Sequence, residues 1–204
     1  MKQHQVEQRS PAWHQLRKGK ITGTGLKALM GTPRSQEDYF YEILAERQTV
    51  GVDDETGGEN PMDRGVRLED EAIATFEFET GKKVTKVGFC EDDGTPEIAN
   101  SPDGLIGDDE AVEVKCLGGK NHVKFWLTNE LPSEYKWQVV QYFIVNPNLK
   151  KLYFFAYNPD IPVHPHHLLE VGRAELEEDI ELAKKAEQEF VARVNAKLGE
   201  IIKL

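Results

Sequence analysis

The chain has 204 residues, 39% hydrophobic and 30% charged, the balance of an ordinary globular domain. Its longest apolar runs are short pieces such as Tyr142-Phe143-Ile144-Val145, too short to cross a bilayer, and Met1 to Ser10 is polar throughout, so neither membrane insertion nor secretion is expected. Two cysteines, Cys90 and Cys116, make no secreted disulfide framework, and a single cytoplasmic domain over residues 1–204 is the expectation.

The formal charge of −11 argues against a protein that coats nucleic acid non-specifically. The charge is uneven, however. From Pro11 to Gln36 there are five basic residues, Arg17, Lys18, Lys20, Lys27 and Arg34, and no acidic one, whereas Glu170 to Glu181 is dominated by carboxylates. A local basic surface on an acidic body fits this pattern, as does a solvated face.

Ser10-Pro11 opens a first helix, with a hydroxyl at the cap and proline in the first turn, and Gly19 ends it near Arg17. Further helices are predicted from Thr24 to Met30, from Glu37 to Arg47 and from Asp63 to Thr80, the last stopping before Gly81. Gly51 to Pro61 is predicted as a surface loop. Short β-rich segments follow: Lys83 to Phe89, Ile98 to Ser101, Ala111 to Cys116 and Lys151 to Tyr157. Ser133 to Val145 is predicted helical. Gly172 to Leu198 carries Leu176, Ile180, Ala183, Phe190 and Val194 at helical spacing, interrupted by Glu187. All the strands are expected to follow the first four helices. The sum is an α/β fold, a central mixed β-sheet flanked by helices.

The chemistry concentrates in Ser101-Pro102-Asp103-Gly104, a turn-rich connection, and Val112-Glu113-Val114-Lys115-Cys116. On a strand, Glu113 and Lys115 share one face while Val112 and Val114 share the other. With Asp103 on a neighbouring hairpin arm, Asp103 and Glu113 can hold a hard divalent cation through oxygen, and Lys115 adds positive charge where a phosphate transition state becomes negative. Asp-Gly also makes ordinary turns, and Glu-x-Lys also decorates exposed edge strands. Glu69 falls on or beside the helix face of Ile73 and Phe76, where a buried carboxylate calls for a cation, Arg17 or another base among them, unless it sits at the first-turn edge where the helix dipole favours it. Gln138 shares a helix face with Tyr135 and Tyr142 and can bind a phosphate or water. Arg17 with Ile21-Thr22-Gly23-Thr24-Gly25 at a helix start forms a suitable anion pocket, or else an N-cap beside a surface arginine. His164-Pro165-His166-His167 suits an exposed loop better than a zinc site, and Trp126 and Trp137 suit the core better than base stacking. The acidic C-terminal helix is expected to pack on the sheet or on a subunit.

Taken together, these pieces resemble the phage lambda exonuclease family, the YqaJ-like viral recombinase nucleases of the PD-(D/E)xK superfamily. The matching stretches are Trp13-His14-Gln15-Leu16-Arg17 with Ile21-Thr22, Tyr39-Phe40 with Leu44-Ala45-Glu46, Gly65 to Glu69, Phe76-Glu77-Phe78, Ser101 to Leu105, Glu113 to Cys116 and Gln138 to Tyr142. The chain is also similar to prophage alkaline exonucleases and, through the Gln138 to Tyr142 helix, to the RecB nuclease domain.

The resemblance implies a restriction-endonuclease-like fold and a Mg²⁺-dependent 5′ to 3′ exonuclease that leaves 3′ single-stranded overhangs on linear double-stranded DNA for recombination. It implies a homotrimeric ring, a single-strand annealing recombinase as partner, and two Mg²⁺ ions, with Mn²⁺ as a substitute. By position, Asp103, Glu113, the Val114 carbonyl and Glu69 become metal ligands, Lys115 orients the attacking water, and Gln138 holds the site together. Arg17, Thr24 and Ser101 become the pocket for a 5′-terminal phosphate, Arg34 a DNA-groove contact and Met62 an apolar wedge, the last two lying in loops. A sequence-specific endonuclease and a non-catalytic DNA-end-binding accessory protein are the competing readings. The first would cut closed circular DNA, and the second would bind ends without metal-dependent cleavage.

Overall fold

The computed structural model describes residues 1–48 and 61–201, with side chains from 68 onward in the second stretch. The loop predicted from Gly51 lies outside the described residues up to its last position. In chain order the helices are α1 (Pro11–Arg17), α2 (Gly23–Leu29), α3 (Pro33–Gln48), α4 (Pro61–Thr80), α5 (Gly119–Thr128), α6 (Lys136–Val145) and α7 (Glu177–Ile201). The strands are β1 (Lys2–His4), β2 (Phe89–Glu91), β3 (Ala99–Asn100), β4 (Gly104–Ile106), β5 (Glu110–Lys115), β6 (Lys151–Tyr157) and β7 (His166–Gly172).

Helix α1 starts as its sequence dictates, with the Ser10 hydroxyl accepting the Trp13 N–H and proline in the first turn. Helix α4 ends at Thr80, where Gly81 takes a left-handed φ of 69°. Strand β6 has the predicted bounds.

The predicted central mixed sheet is present, and a second, smaller sheet stands beside it among the described residues. A four-stranded sheet runs β4-β5-β6-β7, with β5 and β6 parallel and the outer pairs antiparallel, and a small antiparallel sheet runs β1-β2-β3. Four expectations are corrected here. Strand β1 precedes all the helices, because Glu91 draws in Lys20 at 2.8 Å, His4 at 3.0 Å and Lys2 at 3.5 Å and so fastens a polar N-terminus to β2. The segment predicted as a strand from Lys83 to Phe89 bridges the other sheet only at Thr85, opposite Leu105, since Glu77 takes the Val84 N–H and Trp13 takes the Gly88 carbonyl. His166 and His167 stand on β7, opposite Tyr157 and Ala156, rather than in a loop. Trp126 lies on the exposed side of α5, 38% accessible, stacked on His164 at 4.2 Å between centroids.

Strands β5 and β6 are buried on both faces, so the sheet carries two cores. On one side Leu68, Ala72, Ile73 and Phe76 of α4 pack on Val112, Val114, Tyr153 and Phe155. On the other lies α6, whose Val139 to Val145 run is buried all round between the sheet and the helices α2 and α7. Helices thus cover both faces, as predicted. Helix α7 packs on α6, α3 and α2 rather than on the sheet itself. Among the described helices none is long and apolar enough to cross a membrane.

The stripe that α7 buries includes Glu187, which is 0% exposed. Among the described residues neither of its oxygens meets hydrogen-bond geometry with a partner, and the same holds for Oε1 of the neighbouring Gln141. Burial pushes the Glu187 carboxyl up to about 8, with Gln141 opposing and the Asp92 charge adding. A carboxyl raised in the folded state keeps its proton there after the unfolded chain has lost it. Stability therefore falls as pH rises from about 4.5 to about 8, by on the order of 3 kcal/mol at pH 7. Replacing Glu187 with Gln is expected to flatten the urea-midpoint profile over that window and to raise the midpoint most at its alkaline end.

Candidate active site

Strand β4 begins at Gly104, opposite Val112, so β5 runs on through Glu113, Val114 and Lys115 past the end of its neighbour. Asp103 sits at that step. Its Oδ2 accepts the Val114 N–H at 2.8 Å, closing an edge that β4 leaves unpaired. In an extended strand the N–H and C=O of one residue point to the same side, so the Val114 carbonyl opens on the Asp103 edge as well.

Glu113 and Lys115 face α6, and Val112 and Val114 face α4, as strand alternation requires. Glu113 is completely buried, and α6 supplies its partners: Gln138 Nε2 donates to Oε1 at 2.6 Å and the Tyr142 hydroxyl donates to Oε2. The same hydroxyl accepts the Asp103 N–H at 3.1 Å, so one tyrosine ties both acidic positions together. The Lys115 ammonium pairs with Glu113 and lies 5.3 Å from the Tyr135 ring centroid. Burial works against the Lys115 charge, but Glu113 and Asp103 more than offset it and hold its pKa above the ordinary ammonium value. Asp103 is pushed the other way, well above the usual carboxylate range. Burial and the Glu113 charge raise it, Glu69 adds to the rise, and Lys115 and the Val114 N–H oppose it.

Glu69 on α4 lines a cavity of about 400 Å³ with Asp103. Among the described residues it meets Arg9 rather than Arg17, with Arg9 Nη2 3.4 Å from Glu69 Oε2. Among the described residues no three His, Cys, Asp or Glu side chains converge as a finished metal cage, because Glu113 is turned into Gln138, Tyr142 and Lys115. The donor chemistry nevertheless fits a hard divalent ion: two carboxylates that repel each other, a third beside them and an edge carbonyl, all oxygen.

The residues predicted to form an anion pocket meet on the other side of Ser101. The Ser101 hydroxyl accepts from Trp13 Nε1 and from Arg17 Nη1, both at 3.1 Å, and the Arg17 guanidinium stacks over Trp13 at 4.4 Å. Arg17 Nη2 donates to the Thr22 hydroxyl at 3.3 Å, and Thr24 lies 3.3 Å beyond it. Arg17, Thr22 and Thr24 border a cavity of about 480 Å³ that Lys18 and Lys20 also line, with Glu42 and Glu46 as its acidic groups. Helix α2 approaches closely enough that a Cβ on Gly25 would fall 2.1 Å from the Tyr39 hydroxyl oxygen, and one on Gly23 would fall 3.0 Å from Gln138 Cγ. The helix bordering the anion pocket therefore rests on the residue that holds Glu113.

The model of the YqaJ-like viral recombinase domain matches residues 12–147, well over half of the chain. This chain belongs to the YqaJ-like viral recombinase family. Its structure is similar to that of an alkaline exonuclease, LHK-Exo, from Laribacter hongkongensis, with a TM-score of 0.84 and 26% identity over 95% of this chain and 97% of that one. The same enzyme in complex with dAMP matches with a TM-score of 0.83 and 26% identity over the same shares. A phage-related exonuclease from Haemophilus somnus 129PT, 13% identical over 91% of this chain and 99% of that one, shares the fold at a TM-score of 0.60. No curated protein sequence matches the chain. The fold of this YqaJ-like chain is thereby the PD-(D/E)xK fold.

The structure brings Asp103, Glu113, Lys115, Gln138 and Glu69 into one neighbourhood, and Arg17, Thr24 and Ser101 into a second. Arg34 stands apart: it occupies the first turn of α3 rather than a loop, 92% exposed, with Asp38 as its partner at 3.7 Å. Met62 lies on α4 rather than in a loop, and its side chain is outside the described residues. Four residues that the sequence reading gave no role complete the two neighbourhoods. Tyr142 was within reach, since it follows Gln138 by one helical turn. Trp13 and Thr22 belong to a stretch already singled out. Nothing in the sequence marks Arg9.

Asn at position 103 keeps the acceptor for the Val114 N–H and removes one of two facing charges. Asp103→Asn is therefore expected to raise the melting temperature of the metal-free protein, by about 2–4 °C if the repulsion is worth about 1 kcal/mol. A fall on differential scanning calorimetry in chelator would contradict it.

Proposed function

We propose that this YqaJ-family chain is a divalent-metal-dependent exodeoxyribonuclease that degrades one strand of linear double-stranded DNA from its 5′ end and leaves 3′ overhangs for phage-type recombination. One observation carries the reading: Asp103, Glu113 and Lys115 meet at a strand step two residues from Ser101, whose hydroxyl holds the Arg17 guanidinium. Likeness to an alkaline exonuclease supports the nuclease class.

Asp103, Glu113, the Val114 carbonyl and Glu69 would hold two Mg²⁺ ions, or Mn²⁺ in their place. Bound there, the metal supplies Lewis acidity that activates water and offsets charge on the scissile phosphate and its leaving 3′ oxygen. The chain's own residues do the rest. Lys115, kept charged beside Glu113, orients the attacking water and faces the negative charge that develops on the phosphoryl oxygens. Gln138 and Tyr142 hold the Glu113 carboxylate in place beside Asp103 and Lys115. Arg17, Ser101 and Thr24 hold the 5′-terminal phosphate, with Thr22 fixing the guanidinium that would grip it. Arg34 contributes a backbone contact and Met62 a wedge between the last base pairs. The reading extends to a homotrimeric ring around the duplex, working in the cytoplasm with a single-strand annealing recombinase, and a chain with a formal net charge of −11 suits cationic contacts confined to a channel.

The test uses end-labelled linear duplexes with 5′-phosphate or 5′-hydroxyl termini beside covalently closed circles, in Mg²⁺ and in chelator. Mononucleotides are expected from linear DNA alone, only with metal, and faster from the phosphorylated end. Cleavage of circles would make the protein an endonuclease. Lys115→Ala is expected to bind DNA while losing about 100-fold or more in nucleotide release. Arg17→Ala is expected to lose about tenfold of the preference for the phosphorylated end, the scale of one charge-assisted hydrogen bond.

A further inference from the structure

We propose that Arg9 is a displaceable internal cation of the metal centre, one that neutralises Glu69 until a divalent ion takes over that carboxylate. The inference rests on the metal-centre reading above and adds a residue to it.

The backbone around Arg9 is built for the purpose. Arg9 adopts a φ of 67°, a left-handed conformation that among the described non-glycine residues only Asn129 shares. That conformation is held from both sides. The Ser10 hydroxyl and N–H both return to the Glu7 carbonyl, at 2.6 and 3.2 Å, and Gln8 Nε2 donates to the Pro102 carbonyl at 3.0 Å. The turn is thus stapled to the residue before Asp103 on one side and continues into the cap of α1 on the other. A strained residue kept in place by its surroundings marks a position where the side chain's direction matters.

The side chain points at the acidic cluster. One guanidinium nitrogen lies 3.4 Å from Glu69 Oε2, with the Arg9 side chain 43% exposed and that of Glu69 21% exposed. This is a single long contact on the wall of the 400 Å³ cavity that Asp103 also lines, and the cavity leaves the guanidinium room to swing away. Charge bookkeeping assigns its role. The three carboxylates are Asp103, Glu113 and Glu69. Among the described residues, Lys115 is engaged with Glu113, and Lys86, a further cation lining the cavity, is paired with Asp70. Arg9 is the described cation whose guanidinium contacts Glu69, and the Glu69 charge raises Asp103. The guanidinium and a divalent ion would compete for the same carboxylate charge, and a metal that takes Glu69 Oε2 displaces the Arg9 contact made there.

The experiment is calorimetric titration of MnCl₂ into the metal-stripped, full-length, DNA-free protein. It compares wild type with Arg9→Gly, which removes the charge and relieves the left-handed backbone, and Arg9→Lys, which keeps the charge. Arg9→Gly is expected to bind Mn²⁺ about two- to fivefold more tightly, the range for a partly exposed ion pair, with the difference shrinking as salt is raised. Arg9→Lys is expected to match wild type. In a Glu69→Gln background, Arg9→Gly is expected to change nothing. Equal or weaker binding by Arg9→Gly overturns the proposal, as does tighter binding by Arg9→Lys. Either result leaves the metal centre standing as long as wild type binds Mn²⁺ and Asp103→Asn does not, whereas failure of wild type to bind removes both.

Discussion

Two carboxylates held face to face where a strand outruns its neighbour are the constraint around which this protein is organised. Asp103 and Glu113 oppose each other because β4 starts one residue too late to cover β5 at that point. Left alone, such a pair would shed a charge or splay apart. What holds them together is a set of donors from four directions, the Val114 N–H on Asp103, and Lys115, Gln138 and Tyr142 on Glu113, although Asp103 is still pushed well above the usual carboxylate range. The arrangement is stable enough to fold and still short of positive charge, which is the condition a divalent cation relieves.

The surrounding architecture serves that condition. Helix α6 is buried on all sides, so the three polar groups it carries inward, Gln138, Gln141 and Tyr142, have little freedom to turn away. Helix α4 covers the opposite face of the same strands with Phe76 wedged between Tyr153 and Phe155, each 5.5 Å away, and from this anchored helix Glu69 reaches the sheet edge. A metal ligand on a rigid element needs no ordering step when the ion arrives.

Much of this was legible from residue order. The alternation in Val112-Glu113-Val114-Lys115, the face shared by Glu69, Ile73 and Phe76, and the turn between Gln138 and Tyr142 are local periodicities, and the fold keeps them. What stayed hidden depends on partners distant in sequence. Strand β1 is polar and exists because Glu91 gathers cations onto it. The segment after Lys83 has strand composition, yet its backbone groups are spent on Glu77 and Trp13. Helix α5 opens at Gly118 and Gly119 without a side-chain cap, so no start signal announces it. Arg9 is the sharpest case, since a left-handed arginine leaves no trace in composition or spacing.

The interval from Ser101 to Asp103 has a metric consequence. Two residues of extended chain reach about 7 Å, and both ends of this interval are clamped, by Trp13 and Arg17 at one and by Val114 and Tyr142 at the other. On the proposed reading, the backbone itself becomes a gauge. A strand terminus lodged at the first mark presents its neighbouring linkage to the second, so the length of each bite is set by peptide geometry rather than by base identity.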